Sequence, residues 1–457
     1  MKTSLPEKKW IVVLISLLLI LIPEATLLAW NEHPLISYPV VSVMSELRDA
    51  KPVHVESLDA FVMAEEKGLS RFLSEEETWA RNNLPWYAPR PESLAFKATG
   101  NPNDIHLRFC QAIRVNPKVK FPLYLQFPPG IEAGGSPTLT AKDITFLQDT
   151  SDWGSTTFVG LKMGEMVQAL DVVVSATDEP DLLGLDIGLF GDNGTDFGKV
   201  YGFGVQPFGN PHLEYGSQAP FHMGFYHEAQ IIYFLAGFLK KTYPEYRIHL
   251  YKKLSEFAFQ SGHPYWGFRF MGWGLHYLAD LTQPYHATVL PGVSTSRSLW
   301  INTEDMFGVH GPKADAIQLV SNRHTAVEKY LQVVLQKAYR DKDQSNPVLL
   351  SLRSIKERLP YEDTVPRQVI AQQSHAKSAE TDTVLVENMP KKFILDPHFE
   401  LGTSEEREQI VLKIQAEKGQ AAIDRLNFII IDLLEPFVAY GPSFIRATLS
   451  EAKGLRQ

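Results

Sequence analysis

The stretch "GWGLHYLADLTQPYHATVL", residues 272–290, decides how this chain is read. Apolar residues recur at three- and four-residue spacing up to Leu281, which predicts a buried helix, yet the segment also holds His276, Asp280 and His286. Residues four apart lie on one helical face, so the imidazole of His276 and the carboxylate of Asp280 can converge on one point. Pro284 then stops the helix, and His286, just past the bend, is free to face another direction. Taken alone, the triplet fits either a metal site or two satisfied core histidines with a carboxylate.

The same four-residue spacing returns in "NRHTAVEKYL" (322–331), where His324 and Glu328 have apolar or small neighbours; a surface pair is the alternative there. Composition narrows the chemistry. The chain has 14 histidines and a single cysteine, Cys110, which excludes an intrachain disulfide framework and a thiolate cluster. Any metal would therefore be held by His, Asp and Glu. At 457 residues and 44% hydrophobic content the chain can bury one large core or two smaller ones. Its formal charge of −9, with no Lys/Arg-rich run, argues against duplex nucleic acid as a partner.

The first residues, "MKTSLPEKKWIVVLISLLLILIPEATLLAW", place Lys2, Lys8 and Lys9 before an apolar run from Trp10 to Ile22, followed by Pro23 and a small residue at Ala29. This is the pattern of a secretory signal peptide over 1–29, which implies a secreted or periplasmic protein. The alternative is an uncleaved anchor, but the run is shorter than the roughly 20 residues a span needs.

Beyond it, "HPLISYPVVSVMSEL" and "SLDAFVMAEEKGLSRFLSEEETWA" have helical spacing. Residues 85–150 are Pro-rich and predict long loops with one short hairpin. "TFVGLKMGEMVQALDVVVSA" (157–176) predicts a helix, and 189–218 a Gly-rich excursion without the Gly-Lys-Ser/Thr ending of a phosphate loop. Asp192, Asn193 and Asp196 hint at a calcium turn, but no distal Glu follows. Helical spacing runs from Tyr226 to Leu281, broken at "TYPEY" and "SGHPYW", and resumes over Lys313–Tyr339 and, behind a capping Ser404, over Ser404–Phe437. No repeat or linker stands out. The expectation is one mainly α domain over 30–457 with insertions at about 51–170, 287–312 and 341–400.

Signal cleavage after Ala29 would expose an α-amino group on Trp30, three residues before His33. Such an amine, of pKa about 8, can ligate a metal together with its own carbonyl. With this start, the chain resembles the zinc-dependent phospholipases C, which share a multi-helix fold and a trinuclear zinc site with single-strand nucleases. That family's pattern is an N-terminal Trp, a nearby His, an Asp, a His, then His-x3-Asp-x5-His and His-x3-Glu/Asp. His276, Asp280 and His286 match the central motif in spacing and surroundings; Trp30, His33, His324 and Glu328 match its flanks. For the Asp, "SATDEPD" offers Asp178, with Asp181 as the alternative. For the preceding His, "APFHMGFYHE" offers His222, with His227 as the alternative. The resemblance covers under half the chain.

It implies about three zinc ions per chain: one held by Asp178, His222, His276 and Asp280, one by Trp30, His33 and a bridging Asp280, and one by His286, His324 and Glu328. It further implies that these ions polarise a phosphodiester and lower the pKa of a bound water to about 7, with Asp178 as general base. The expected reaction is cleavage of the glycerol-side phosphodiester of a phospholipid at a membrane surface, with phosphatidylcholine first among substrates. Glu179 stands where bacterial lipases carry an aromatic residue, which leaves choline selectivity open. The aromatics of "YGFGVQPFGN" (201–210) fit either a lipid or choline pocket or the core. Two other functions remain in view: a zinc-dependent single-strand nuclease or 3'-nucleotidase of the same fold, and a metal-free secreted helical binding protein. No Gly-x-Ser-x-Gly elbow appears, so a serine lipase has no support.

Overall fold

Proline and glycine set the limits of the helices that carry the expected ligands. In a computed structural model, which describes residues 30, 32–131, 138–190, 197–205, 208, 216–355 and 359–454, 63% of the protein is helix and 4% strand. The segment 1–29 and the turn of Asp192, Asn193 and Asp196 lie outside the described residues.

The helices around the expected ligands are, in chain order, α1 (Pro34–Ser42), α2 (Ala169–Ala176), α3 (Glu179–Leu182), α4 (Ala219–His222), α5 (Gln230–Leu235), α6 (Pro244–Ser261), α7 (Pro264–Asp280), α8 (Pro284–Ala287), α9 (Thr295–Met306), α10 (Gly311–Arg340) and α11 (Gln420–Gly454). Proline occupies the first turn of α1, α3, α4, α6, α7, α8 and α10, where its missing N–H has no helical partner to lose. Between α6 and α7 the chain reverses at Gly262, whose φ of 93° is left-handed and suits a residue without Cβ. Their antiparallel pair forms the spine of the molecule, with α2 and α11 packed on α7.

α7 is buried along its whole length from Tyr265 to Asp280. It comes so close to α2 that a Cβ on Gly272 would stand 2.6 Å from the Val173 carbonyl and 2.5 Å from the Cβ of Ala176. This close approach presses His276 and Asp280 against the end of α2, from which Asp178 and α3 continue. One apolar cluster reaches from Trp30 to Ile445, with Trp266, Phe270, Trp273 and Tyr277 of α7 inside it. By length and composition α11 could cross a membrane, but 67% of its most apolar window is packed inside the protein, as in a core helix.

Three segments differ from the sequence expectation. Residues 157–176 are not one helix: Thr157–Gly160 and Met166–Val167 are strands, and only α2 is helical. The β-branched and aromatic Thr157, Phe158 and Val159 pair antiparallel with Tyr124–Phe127, and the left-handed Gly164, at φ 79°, turns the chain before α2. The small sheet has the order β2 (Tyr124–Phe127), β4 (Thr157–Gly160), β3 (Thr138–Leu139), while β1 (Val53–His54) pairs with β5 (Met166–Val167). The stretch 85–150 also holds a helix, Ile105–Ala112, that the loop reading overlooked; Ile105 and Phe109 bury one face of it. At the C-terminal end, left-handed Gly419 separates Ile410–Lys418 from α11, which then runs through Pro436 and Pro442 instead of stopping at Phe437.

Candidate metal centre

Three groups of buried His, Asp and Glu side chains converge in the space between α1, α3, α4, α7, α8 and α10: His33, His276 and Asp280; Asp181, His222 and His276; and His286, His324 and Glu328. Asp280 ends α7 and is shared. Its Oδ1 lies 3.0 Å from Nε2 of His33, and its Oδ2 lies 2.9 Å from Nδ1 of His222 and 3.3 Å from Nε2 of His276.

His276 and His222 meet polar groups behind their rings. Nδ1 of His276 is 2.8 Å from the Thr177 carbonyl, which only accepts, so in the neutral ring Nδ1 carries the proton and the Nε2 lone pair points into the group. Nε2 of His222 faces Oδ2 of Asp186 at 3.5 Å. Asp186 in turn is bonded by the Arg247 guanidinium and the Tyr277 hydroxyl; burial works against its ionisation, but Arg247 holds its carboxyl below the ordinary value. The ring of His324 is stacked on Tyr285, with centroids 5.4 Å apart.

In the third group, Pro284 starts α8 and swings His286 toward α10. Its Nε2 stands 3.1 Å from Nε2 of His324 and 3.6 Å from Oε1 of Glu328, and His324 is 2.7 Å from that same oxygen. Gln283 connects the two helices. Its Oε1 accepts from the Tyr285 N–H at 2.8 Å, capping α8, while its Nε2 donates to Glu328 at 3.1 Å. No spacing pattern in the sequence points to Gln283.

Two imidazole nitrogens 3.1 Å apart, both facing a carboxylate oxygen, repel unless a proton or a cation sits between them. A four-coordinate ion with bonds of about 2.1 Å needs ligand atoms roughly 3.4 Å apart. The separations run from 2.7 to 3.6 Å in the His286 group and from 3.1 to 3.9 Å in the Asp181 group. The donor set fits metal ions, and the protein can hold them here.

Asp178 and Asp181 occupy different places from those first expected. Asp181 faces the site, its Oδ1 3.7 Å from His222 and 3.9 Å from His276, and Gln218 donates to it at 2.8 Å. Asp178 lies behind it. Its Oδ1 accepts from the His33 N–H at 3.0 Å, and its Oδ2 accepts from Nε2 of Gln126 and Nε1 of Trp153, both at 2.7 Å. Its oxygens are thus engaged in fixing the turn that presents His33, whose Nδ1 is 3.9 Å away. His222 is in the site, while His227 is bonded to the Arg367 carbonyl at 2.8 Å outside it. Glu179 is turned away from the site and buried against Arg269 at 2.9 Å and Trp273 at 2.6 Å, where it clamps α3 to α7.

Trp30 is buried, and its indole N–H donates to Oγ1 of Thr282 at 3.1 Å, two residues beyond Asp280. Glu32, unnoticed in the sequence, locks the same turn. It adopts a φ of 55°, and its buried carboxylate accepts from Gln332 at 3.0 Å and from Gln336 and Thr156. Burial, with Asp178 adding to it, pushes the Glu32 carboxyl up to about 7 against those three donors.

Burial opposes ionisation of Asp280, yet His276 and the contacts with His222 and His33 hold its carboxyl well below the usual range. Burial lowers His222, but Asp181, Asp186 and Asp280 outweigh it and raise the ring to about 10. Burial raises Glu328 to about 8 against the pull of His286, and lowers His324 to about 3. Without metal, then, protons remain on His222 and Glu328 at pH 7, and an ion must displace them. Metal binding is expected to release protons, with affinity rising as pH increases toward 10. Titration calorimetry in buffers of different ionisation enthalpy checks this; proton uptake, or pH-independent affinity, contradicts it.

No family model matches the chain, and no significantly similar curated protein or solved structure was found.

Proposed function

We propose that the chain is a secreted, zinc-dependent phosphoric diester hydrolase of the phospholipase C type, carrying about three zinc ions. The observation that supports it most is the sharing of Asp280: one oxygen faces His33, the other faces His222 and His276, and a second buried group of His286, His324 and Glu328 stands on the neighbouring helices. Asp181, His222, His276 and Asp280 would hold one ion, His286, His324 and Glu328 another. Trp30, His33 and Asp280 would hold the third once signal cleavage frees the Trp30 amine. Bound zinc supplies positive charge to a phosphodiester and its leaving oxygen, and acidity to the attacking water.

The chain's own residues do the positioning. Thr177 and Asp186 aim His276 and His222, Gln283 fixes Glu328 relative to His286, and Asp178 with Glu32 holds the turn of Trp30 and His33. In the reaction, the water oxygen bonds to phosphorus as the bond to the glycerol oxygen breaks. The water's proton ends on that oxygen, and the products are diacylglycerol and a phosphorylated head group. A net charge of −9 favours a lipid head group over a long polyanion.

The test is an assay of zinc-loaded protein beginning at Trp30, on phosphatidylcholine vesicles beside single-stranded DNA, with a chelated sample as control. Diacylglycerol without nucleotide release is the expected result. Nucleotide release alone would make the protein a nuclease, and no hydrolysis of either would favour a binding protein.

A further inference from the structure

Beside the His286, His324 and Glu328 group lies a cavity of about 140 Å³. Phe225, Phe238, Ile301 and Ile317 line it, and Tyr285 and His324 close one wall. Lys313, which also reaches the lining, is paired with Asp305 at 2.9 Å, so its charge is already engaged. Ser298 and Asn302 add polar side chains on α9, while most of the remaining wall is apolar up to the imidazole of a candidate metal ligand. An apolar cavity of about 150 Å³ is large enough to hold benzene, so this one admits a short run of methylenes.

Its walls come from α5 with the turn after it, and from α9 with the start of α10. These same elements expose large aromatic side chains: Phe234 on α5 and Phe307 after α9 are each 82% exposed, and Trp300 on α9 is 58% exposed. Isolated apolar side chains on a surface are ordinary, but aromatics on both walls of an apolar cavity suit the boundary between water and lipid.

We propose that this cavity receives the first methylenes of an acyl chain of the lipid whose phosphate the metal centre holds, and that Phe234, Trp300 and Phe307 meet the lipid surface from which that chain enters. This rests on the phospholipase reading. It makes substrate preference depend on chain length: each methylene accommodated raises kcat/KM by about fourfold until the cavity is filled.

The test titrates the full chain beginning at Trp30 with cis-parinaric acid, a fluorescent fatty acid, with zinc and after chelation. Two cavity-filling variants, Ala316→Trp and Ala236→Trp, are compared, both checked for folding by circular dichroism. The wild type should bind about one fatty acid per chain, and each folded variant should bind at least about tenfold more weakly and lose the preference for dihexanoyl over dibutanoyl phosphatidylcholine. Unchanged binding in both folded variants overturns the proposal, as does displacement of the probe by adenosine monophosphate but not by dodecylphosphocholine. Should the wild type cleave phosphatidylcholine yet bind no parinaric acid, the acyl site falls while the phospholipase reading stands. Should it bind the fatty acid in this cavity yet cleave no phosphodiester, that reading falls while the acyl site stands.

Discussion

Asp280→Ala is expected to remove hydrolysis and to empty more than one metal position at once. Asp280 stands within 3.3 Å of three imidazoles, His33 on one oxygen and His222 and His276 on the other, whereas Asp181 faces the same three at 3.7–4.0 Å. Loss of a single preorganised group at a reacting centre typically costs about 10²–10³ in kcat, and on the proposed reading the loss would extend to two ions. In the metal-free protein the same change strips His33 and the strongly basic His222 of a buried counter-charge, a type of loss that costs about 3–5 kcal/mol. Asp280→Asn is compared beside it: it keeps the volume, so that no cavity opens, while it removes the charge and turns one of the two acceptor oxygens into a donor amide. Both should lose zinc in elemental analysis and lose activity on phosphatidylcholine, and His276→Ala should do the same. Full activity in folded Asp280→Asn would move the site elsewhere.

One extra residue before Trp30 should have a comparably large effect. The indole of Trp30 is held by Thr282 close behind Asp280, and Glu32 is pinned by Gln332, Gln336 and Thr156 in a left-handed conformation. The turn has little freedom to shift and present a different donor. A free amine on Trp30 can bind an ion, whereas a peptide nitrogen there does not. Disturbing even an outer partner of a metal site commonly costs about 10–100-fold, and loss of a ligand should cost at least that. The measurement compares kcat/KM and zinc content of protein starting at Trp30 with protein starting one residue earlier. Equal values in the two would remove Trp30 from the ligand set.

The central part of the site was legible because helical geometry converts spacing into direction. His276 and Asp280, and His324 and Glu328, are four apart, and Pro284 redirects the chain before His286. The choice between Asp178 and Asp181 was not legible for the same reason: residues three apart on a one-turn helix share a face, so spacing treats them alike. What separates them is the donors Gln126 and Trp153, which come from a sheet strand and a short 3-10 helix 52 and 25 residues away in sequence and occupy Asp178. The roles of Asp186, Gln283 and Glu32 were hidden likewise, since each is defined by a tertiary partner and not by a pattern.

The fold class followed from the amphipathic spacing, but local segments were overruled by tertiary pairing. Phe158 and Val159 are apolar at positions a helix would accept, and pairing with Tyr124–Phe127 on one side and Thr138–Leu139 on the other makes them a strand. In α11 the prolines argue for an end, yet the burial of Leu433, Phe437, Phe444 and Ile445 carries the helix on through both of them. Within residues 287–312, α9 supplies a wall of the cavity beside His324.

The account stands on these buried groups holding metal. The most direct measurement is the metal content of folded protein that begins at Trp30, purified without added chelator and examined by elemental mass spectrometry. About three zinc ions per chain are predicted; a folded sample that carries no zinc and takes up none on dialysis would contradict the account.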